Sequence, residues 1–523
     1  MATLISSLFT EPVSDGDKSD FTAYGAATDF QAVTKAGVRS PTVPANTSGV
    51  RSSTHDQIDR FNFTVPAPPP GQFLNWVRLW AYYEAVPANH TIAQNARALL
   101  SGGGGHGVSV AAGQTGWRVS GKHSPFKAGP ALLAPGDTVS SQFQLAESAA
   151  QAADTDITAV HMEWGYSSIE HTIVFGRGIV GASSGRVYQW PFAGYASLAF
   201  DAWPASSDAA GQRAVIREMV SGGLELCRIF IPFGDMMTNE TTVNAAAWTN
   251  FETFLEICRE EGLRLVVTGI VTFVTDHRPV WLDALSEANR WATFRRWWDR
   301  CARACACSPC VVAYDLINEP FGQDGGSTWY LGGPPFDWGS YLCKNLSGRT
   351  AADVLTAFMA AMRDVASVGI AEYDLAKPRG VGIPITGTYG GGTLEMSWGS
   401  CSENQILFPH LYLWANAAGS MQSNLADIAL MQAFYNKPII LQETGLLDGT
   451  YSEAQLLDFL KRAHDLGVTG VAGGWKGLFD SFAFSTGYKL HQRLMPIVKG
   501  RIRNALRVGG VRGRNARIGQ RTR

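Results

Sequence analysis

Cysteine is scarce: eight residues in 523, four of them crowded into Cys301, Cys305, Cys307 and Cys310. Their C-x3-C-x-C-x2-C spacing matches no zinc-ligand pattern. Cys301 and Cys305 fall on one helical face and Cys310 opens an apolar strand, so these read as small buried thiols, and nothing demands an oxidising compartment. No run of about 18 apolar residues occurs, so no membrane-spanning helix is expected. The 56 glycines follow no Gly-x-y period, which excludes a collagen-like chain. The opening MATLISSLFT holds no basic residue and is no ordinary secretory signal. The expected placement is therefore cytoplasmic, non-classically exported or virion-associated. The five N-x-S/T sequons at Asn46, Asn62, Asn89, Asn239 and Asn345 would matter only in a secretory pathway.

Apolar residues are plentiful: 46% of the chain is hydrophobic, with 16 Trp, 26 Phe and 15 Tyr, and 17% is charged. That composition supports a large core and excludes a disordered chain. The net charge of −2 conceals an asymmetry, because residues 481–523 hold 11 Lys and Arg and no acid, leaving a net of −13 on the rest. A cationic tail on an acidic body can bind a polyanion, another subunit or a membrane surface, or can simply be a solvated end. Nucleic acid is not an expected partner. A homo-oligomer, or attachment to a particle, is compatible with the N-terminal region and with this tail.

The chain divides by pattern. Residues 1–55 have little periodicity and read as an arm or extended segment. Residues 56–185 hold short extended stretches such as RFNFTV, FLNWVRLWAYYE, TGWRVSG and TDITAVHMEW, broken by PAPPPG and SGGGGHG, the pattern of an all-β, sandwich-like domain. Over residues 186–500 short apolar runs alternate with helical patterns, giving eight strand candidates that begin with SLAFDAW and end with VTGVAGGW. Repeated βα units with buried strands imply a parallel sheet, and eight of them fit a (β/α)8 barrel. An open doubly wound sheet would want a Gly-rich phosphate turn after the first strand, and SLAFDAWPASS is not one. Residues 501–523 form the basic tail.

In such a barrel the chemistry sits at the C-terminal ends of the strands. Those ends offer Arg228 on the second, His277 after the third, Asn318 and Glu319 on the fourth, His410 and Tyr412 on the sixth, Glu443 on the seventh and Trp475 on the eighth. Glu319 follows VVAYDLI and Glu443 follows PIILQ. A carboxylate closing an apolar strand is costly unless hydrogen-bonded or chemically employed. Either one alone could be a salt bridge at the barrel rim. Two of them, on strands four and seven, meet the requirement of glycoside cleavage: one acid to protonate the leaving oxygen, one carboxylate to attack the anomeric carbon or activate water.

YDLINEP, FPHLY, IILQETG and GGWKGLFD resemble the signatures of glycoside hydrolase family 5, the cellulase family, within the retaining (β/α)8 glycosidases, over about residues 190–500. Asn-Glu-Pro points to the wider clan, and His-x-Tyr on strand six to the family. The resemblance implies that Glu319 is the acid/base and Glu443 the nucleophile. It implies that Asn318 bonds the sugar 2-OH, that Arg228 and Tyr412 contact Glu443, that His410 sits near Glu319, and that Trp475 is a platform under the sugar. His277 lacks the family's glycine-rich context. The loop holding Trp329, Tyr330, Phe336 and Trp338 departs from the family pattern; these rings could stack on sugars or pack the loop onto the barrel, and WPASS and the segment around Trp398 are equally open. The expectation is a retaining β-glycosidase, endo-acting on a β-linked glucan or mannan, with no metal or organic cofactor. The rival is a non-catalytic or particle-borne glycan-binding protein that uses the barrel for recognition and the N-terminal domain for attachment.

Overall fold

The structure is a computed structural model. It describes residues 5–10, 12–19, 22–24, 49–52, 58–85, 91–97, 108–110, 115–120, 122–126, 131–147, 155–196, 209–221, 225–231, 233–269, 279–318, 322–323, 329–330, 351–371, 374–384, 401–413, 415, 419–445 and 450–472. The basic tail, Phe336, Trp338 and Trp398 lie outside these residues.

Eight short strands form the barrel: β1 (Trp190–Ala196), β2 (Leu226–Phe230), β3 (Arg264–Thr268), β4 (Val311–Asn318), β5 (Arg379–Pro384), β6 (Phe408–His410), β7 (Ile440–Leu441) and β8 (Gly470–Ala472). They pair in parallel in the order β6-β5-β4-β3-β2-β1-β8-β7. Parallel bridges Leu407↔Ile439 and His410↔Glu443 join β6 to β7. Across that seam Ile440 N–H donates to Leu407 O (3.0 Å) and Leu411 N–H to Glu443 O (2.8 Å), so the ring closes. This is the (β/α)8 barrel. Six long helices alternate with the strands among the described residues: α1 (Ala209–Ser221), α2 (Ala245–Glu261), α3 (Glu287–Cys305), α4 (Ala351–Asp364), α5 (Met421–Phe434) and α6 (Glu453–Asp465).

Local chemistry sets where the helices start. Asn244, Ser286, Ser420 and Ser452 each accept a backbone N–H from the first turn of α2, α3, α5 and α6, and Ser452 forms a full capping box with Gln455. Gly262 ends α2 at φ 89°, a left-handed conformation that a side chain would disfavour. Cys301 and Cys305 lie on one face of α3 with sulfurs 3.9 Å apart. Burial pushes the thiols of Cys307 and Cys310 up to about 12.

Alternation along the strands divides the barrel into two apolar layers. Cys227, Ile229, Leu265, Val267, Leu407 and Leu441 point outward into the core shared with the helices. Leu226, Val266, Ala313, Phe408 and Ile440 point inward and, with Trp190, fill the barrel floor. A three-stranded antiparallel unit, Thr172–Phe175, Gly178–Gly181 and Val187–Tyr188, adjoins that floor. Its Ile179 enters the floor cluster, and Tyr188 stacks on Trp190 at 5.7 Å.

Before residue 170 the strands are antiparallel and form two sheets. In one, Thr155–Ser167 and Phe73–Ala85 are central; in the other, Thr138–Glu147 pairs with Ile58–Thr64 and Thr91–Arg97. Phe61, Phe63, Val77, Leu79, Val139, Phe143, Met162 and Trp164 share one apolar cluster. The segment read from sequence as an arm contributes strands here: Ile5–Thr10 pairs with Thr155–Ser167, and Ser14–Ser19 pairs with Ile58–Thr64. Neighbouring strands with open edges supply the pairing that SDGDKS, rich in Asp and Gly, shows little propensity for. Lys122 links this region to the barrel, bonding Glu256 of α2 at 2.7 Å and offering its carbonyl to Cys307 Sγ at 3.0 Å.

Candidate active site

Above the apolar floor, the next inward-facing residue on β2 to β7 is polar or a glycine. Two residues beyond Leu226 on β2 comes Arg228, and two beyond Val266 on β3 comes Thr268. Asp315 follows Ala313 on β4, His410 follows Phe408 on β6, Gln442 follows Ile440 after β7, and β5 places Gly382 between them. A Cβ on Gly382 would lie 2.9 Å from Gln442 Oε1, 3.0 Å from His410 Nε2 and 3.1 Å from Asp315 Oδ2, so the polar layer needs a residue without a side chain there.

Arg228 organises the layer. It is 1% exposed, a position that a charge occupies only when paired and hydrogen-bonded. Its Nε donates to Thr268 Oγ1 (2.9 Å) and Nη1 to Glu443 Oε1 (2.5 Å). Its Nη2 donates to both Asp315 Oδ2 (2.7 Å) and Asn318 Oδ1 (2.6 Å). The guanidinium also lies 4.5 Å from the centre of the Phe230 ring.

Glu443 sits just past β7 and is 4% exposed. Besides Arg228, the Tyr412 hydroxyl donates to its Oε2 at 2.6 Å, and His410 Nδ1 stands 3.6 Å from its Oε1. Burial alone would raise this carboxyl; the electrostatic pull of His410 and Arg228 and the bonds from Tyr412 and Arg228 outweigh it and hold Glu443 below the ordinary carboxylate value. Tyr412 is itself placed by its carbonyl, which accepts from Asn424 Nδ2 on α5 at 2.8 Å. The site therefore carries an ionised, oriented carboxylate at the C-terminal end of the strands. Asn318 Nδ2 is buried beside it and has no hydrogen-bond partner among the described residues, leaving a donor open to a ligand hydroxyl.

Of the eight residues picked from sequence, Arg228, Asn318, His410, Tyr412 and Glu443 join one network. Glu319, His277 and Trp475 lie outside the described residues. His410, expected beside Glu319, contacts Glu443 and approaches Gln442 Oε1 with Nε2 at 3.2 Å. Trp329–Tyr330 pairs antiparallel with Gly322–Gln323. Asp315, Thr268 and Gln442 were not anticipated. Asp315 had a signal, a lone acid inside the apolar run VVAYDLI; Thr268 and Gln442 had none beyond their strand-end positions. Among the described residues no group of three His, Cys, Asp or Glu side chains is arranged to hold a metal ion. No helix among them is long and apolar enough to cross a membrane.

The family model described as cellulase (glycosyl hydrolase family 5) matches residues 188–469, more than half of the chain. Among similar solved structures is the β-mannanase from the blue mussel Mytilus edulis, at 14% identity over 62% of this chain and 96% of that one, with a TM-score of 0.45. The β-1,4-D-mannanase from Cryptopygus antarcticus is 13% identical over 62% of this chain and 94% of that one, with a TM-score of 0.44. A GH5_18 structure from Bifidobacterium longum subsp. longum is 17% identical over 58% of this chain and 78% of that one, with a TM-score of 0.43. No curated protein matches the chain.

Proposed function

This chain belongs to glycosyl hydrolase family 5, and from that premise we propose that it is a retaining β-glycosidase acting within a β-linked glucan or mannan. The observation that carries the proposal is Glu443: a buried carboxylate held ionised between Arg228 and Tyr412, with the open Asn318 amide beside it. An ionised oxygen fixed by two donors is poised to attack an anomeric carbon, forming a glycosyl–enzyme bond. Glu319, one residue past Asn318 at the end of β4, is the acid that gives its proton to the leaving glycosidic oxygen. It then takes a proton from the water that releases the sugar. Asn318 Nδ2 donates to the sugar 2-OH, a contact that tightens as positive charge develops on the ring. Trp475 supplies an apolar platform under that sugar, and residues 56–185 act as an accessory β module for attachment to a polysaccharide, a subunit or a particle.

The test is a reducing-sugar screen over β-glucans, mannans, xylans and exopolysaccharides, followed by variants on the best substrate. Glu443→Gln is expected to abolish turnover while glycan binding persists. Glu319→Ala is expected to be slow with natural substrate and to be rescued by azide on an activated aryl glycoside, giving a β-glycosyl azide. An α-azide product would mark a single displacement and overturn the assignment of Glu319 as the acid/base of a retaining site. Near-wild-type turnover by Glu443→Gln would remove it as nucleophile.

A further inference from the structure

We propose that Asp315 is a positioning residue of the site, holding Arg228 in the one orientation that lets it serve Glu443 and Asn318 together. The inference rests on the reading of Glu443 as nucleophile and adds a residue that reading does not require.

Asp315 is fully buried and uses both oxygens. Oδ1 accepts the backbone N–H of Gly382 on β5 at 2.7 Å, which anchors the carboxylate to the barrel wall. Oδ2 accepts from Arg228 Nη2 at 2.7 Å and from the Thr268 hydroxyl at 3.0 Å. Thr268 in turn accepts from Arg228 Nε at 2.9 Å. Asp315 therefore grips the guanidinium twice, once directly and once through Thr268, and fixes its plane. A planar fork held at Nε and Nη2 has its Nη1 direction determined, and Nη1 is the nitrogen that reaches Glu443.

The same grip sets Asn318. Arg228 has donors only, so the atom of Asn318 that meets Nη2 must be the carbonyl Oδ1. The amide cannot turn over without setting N–H against N–H, and Nδ2 is left as the outward donor. One carboxylate thus determines the direction of the nucleophile's partner and the polarity of the amide beside it. Charge also enters. Glu443 faces Arg228 from β2, His410 from β6 and Tyr412 just after it; Asp315, from β4, shares Arg228 and offsets part of its field. Removing that anion leaves Glu443 easier to ionise and a weaker base.

The experiment is steady-state kinetics of the full chain on a soluble oligosaccharide, from acid to neutral pH, for Asp315→Asn, Asp315→Glu and Thr268→Val, with Glu443→Gln as reference. Asp315→Asn is expected to lower kcat about 100-fold, with KM changed by less than about threefold. The acid limb of kcat/KM is expected to move to lower pH, a shift that a purely structural defect does not produce. Asp315→Glu keeps the charge but displaces it by a methylene, so it should lose kcat without moving the acid limb. Thr268→Val is isosteric and cuts the indirect grip alone; kcat is expected to fall about tenfold. If Glu443→Gln is inactive but folded Asp315→Asn keeps kcat within about threefold and its acid limb in place, the positioning role is overturned while the nucleophile assignment stands. If Asp315→Asn does not fold, Thr268→Val decides, and an unchanged kcat there overturns the proposal. Turnover by Glu443→Gln would defeat the functional reading itself.

Discussion

The barrel buries arginines at both ends, and two of them, Arg264 and Arg228, are satisfied in opposite ways. Arg264, at the start of β3, donates to the carbonyls of Glu170 (3.1 Å) and Pro309 (3.2 Å) and to the Tyr188 hydroxyl (3.0 Å), with its guanidinium 4.4 Å from the Tyr188 ring centre. Its nearest carboxylate stands one step away, because Tyr188 passes the interaction to Glu170 at 2.9 Å. Glu170 also accepts Ser184 N–H and hydroxyl, and Gly181 leaves it the space, since a Cβ there would sit 2.1 Å from its Oε1. Arg228, at the other end, touches two carboxylates directly, and its Asn318 neighbour keeps an unused donor. The floor arginine ties chain segments together through neutral oxygens. The mouth arginine concentrates charge where strands end and a donor stays open. An enzyme spends stability in the second place and recovers it in the first.

The comparison breaks most sharply at Arg228. Arg228→Met is expected to reduce kcat by about 10²–10⁴-fold, and to destabilise by about 3–5 kcal/mol, because Asp315 and Glu443 would be left as uncompensated buried charges. Chemical denaturation and kinetics on the same preparation read both effects. Arg264→Met should cost about 2 kcal/mol from stranded carbonyls while kcat per folded molecule stays unchanged. If it instead abolished turnover in a folded protein, floor and mouth would not be separable.

Acid sharpens the contrast further. At the junction of the N-terminal sheets and the floor, burial and then the charge of Lys377 push His171 down to about 3 from 6.5. The unfolded chain takes up its proton below about 6.5 and the folded one does not, so stability is full above that pH and is lost as pH falls towards 3. Glu443 is also depressed, so its contribution is present above the ordinary value of 4.5 and is lost only at lower pH. Thermal melts should therefore show His171→Gln flattening the decline between pH 6.5 and 4.5, and Glu443→Gln altering only the part below. The smallest effect is expected at Lys122→Ala, which removes a partly exposed pair with Glu256 and should cost less than about 1 kcal/mol, less still at high salt.

Much of the mouth was legible because strand periodicity and chain order carry it. His410 and Glu443 each follow a short apolar run, Arg228 lies inside the apolar strand Leu226–Phe230, and in a parallel barrel all strands run one way. Asp315 was missed for a physical reason. A register shift between Asp315 and Asn318 lets two residues three apart both face inward, so strict alternation cannot list them together. Thr268 and Gln442 matter only through partners contributed by other strands. Ser14–Ser19 was illegible because its polar sequence takes its strand form from Ile58–Thr64 beside it.

The sequence by itself determined the alternation of strands and helices, the eightfold count and the side chains at the strand ends, since these depend on periodicities a few residues long. Only the tertiary structure decided that Arg228 is shared by Asp315, Asn318 and Glu443, and that the Asn318 amide is left with an open donor. It also decided that Gly382 is the gap into which the polar layer fits. Those facts join positions up to 215 residues apart, and no local pattern encodes a bond whose two ends meet only when the barrel closes.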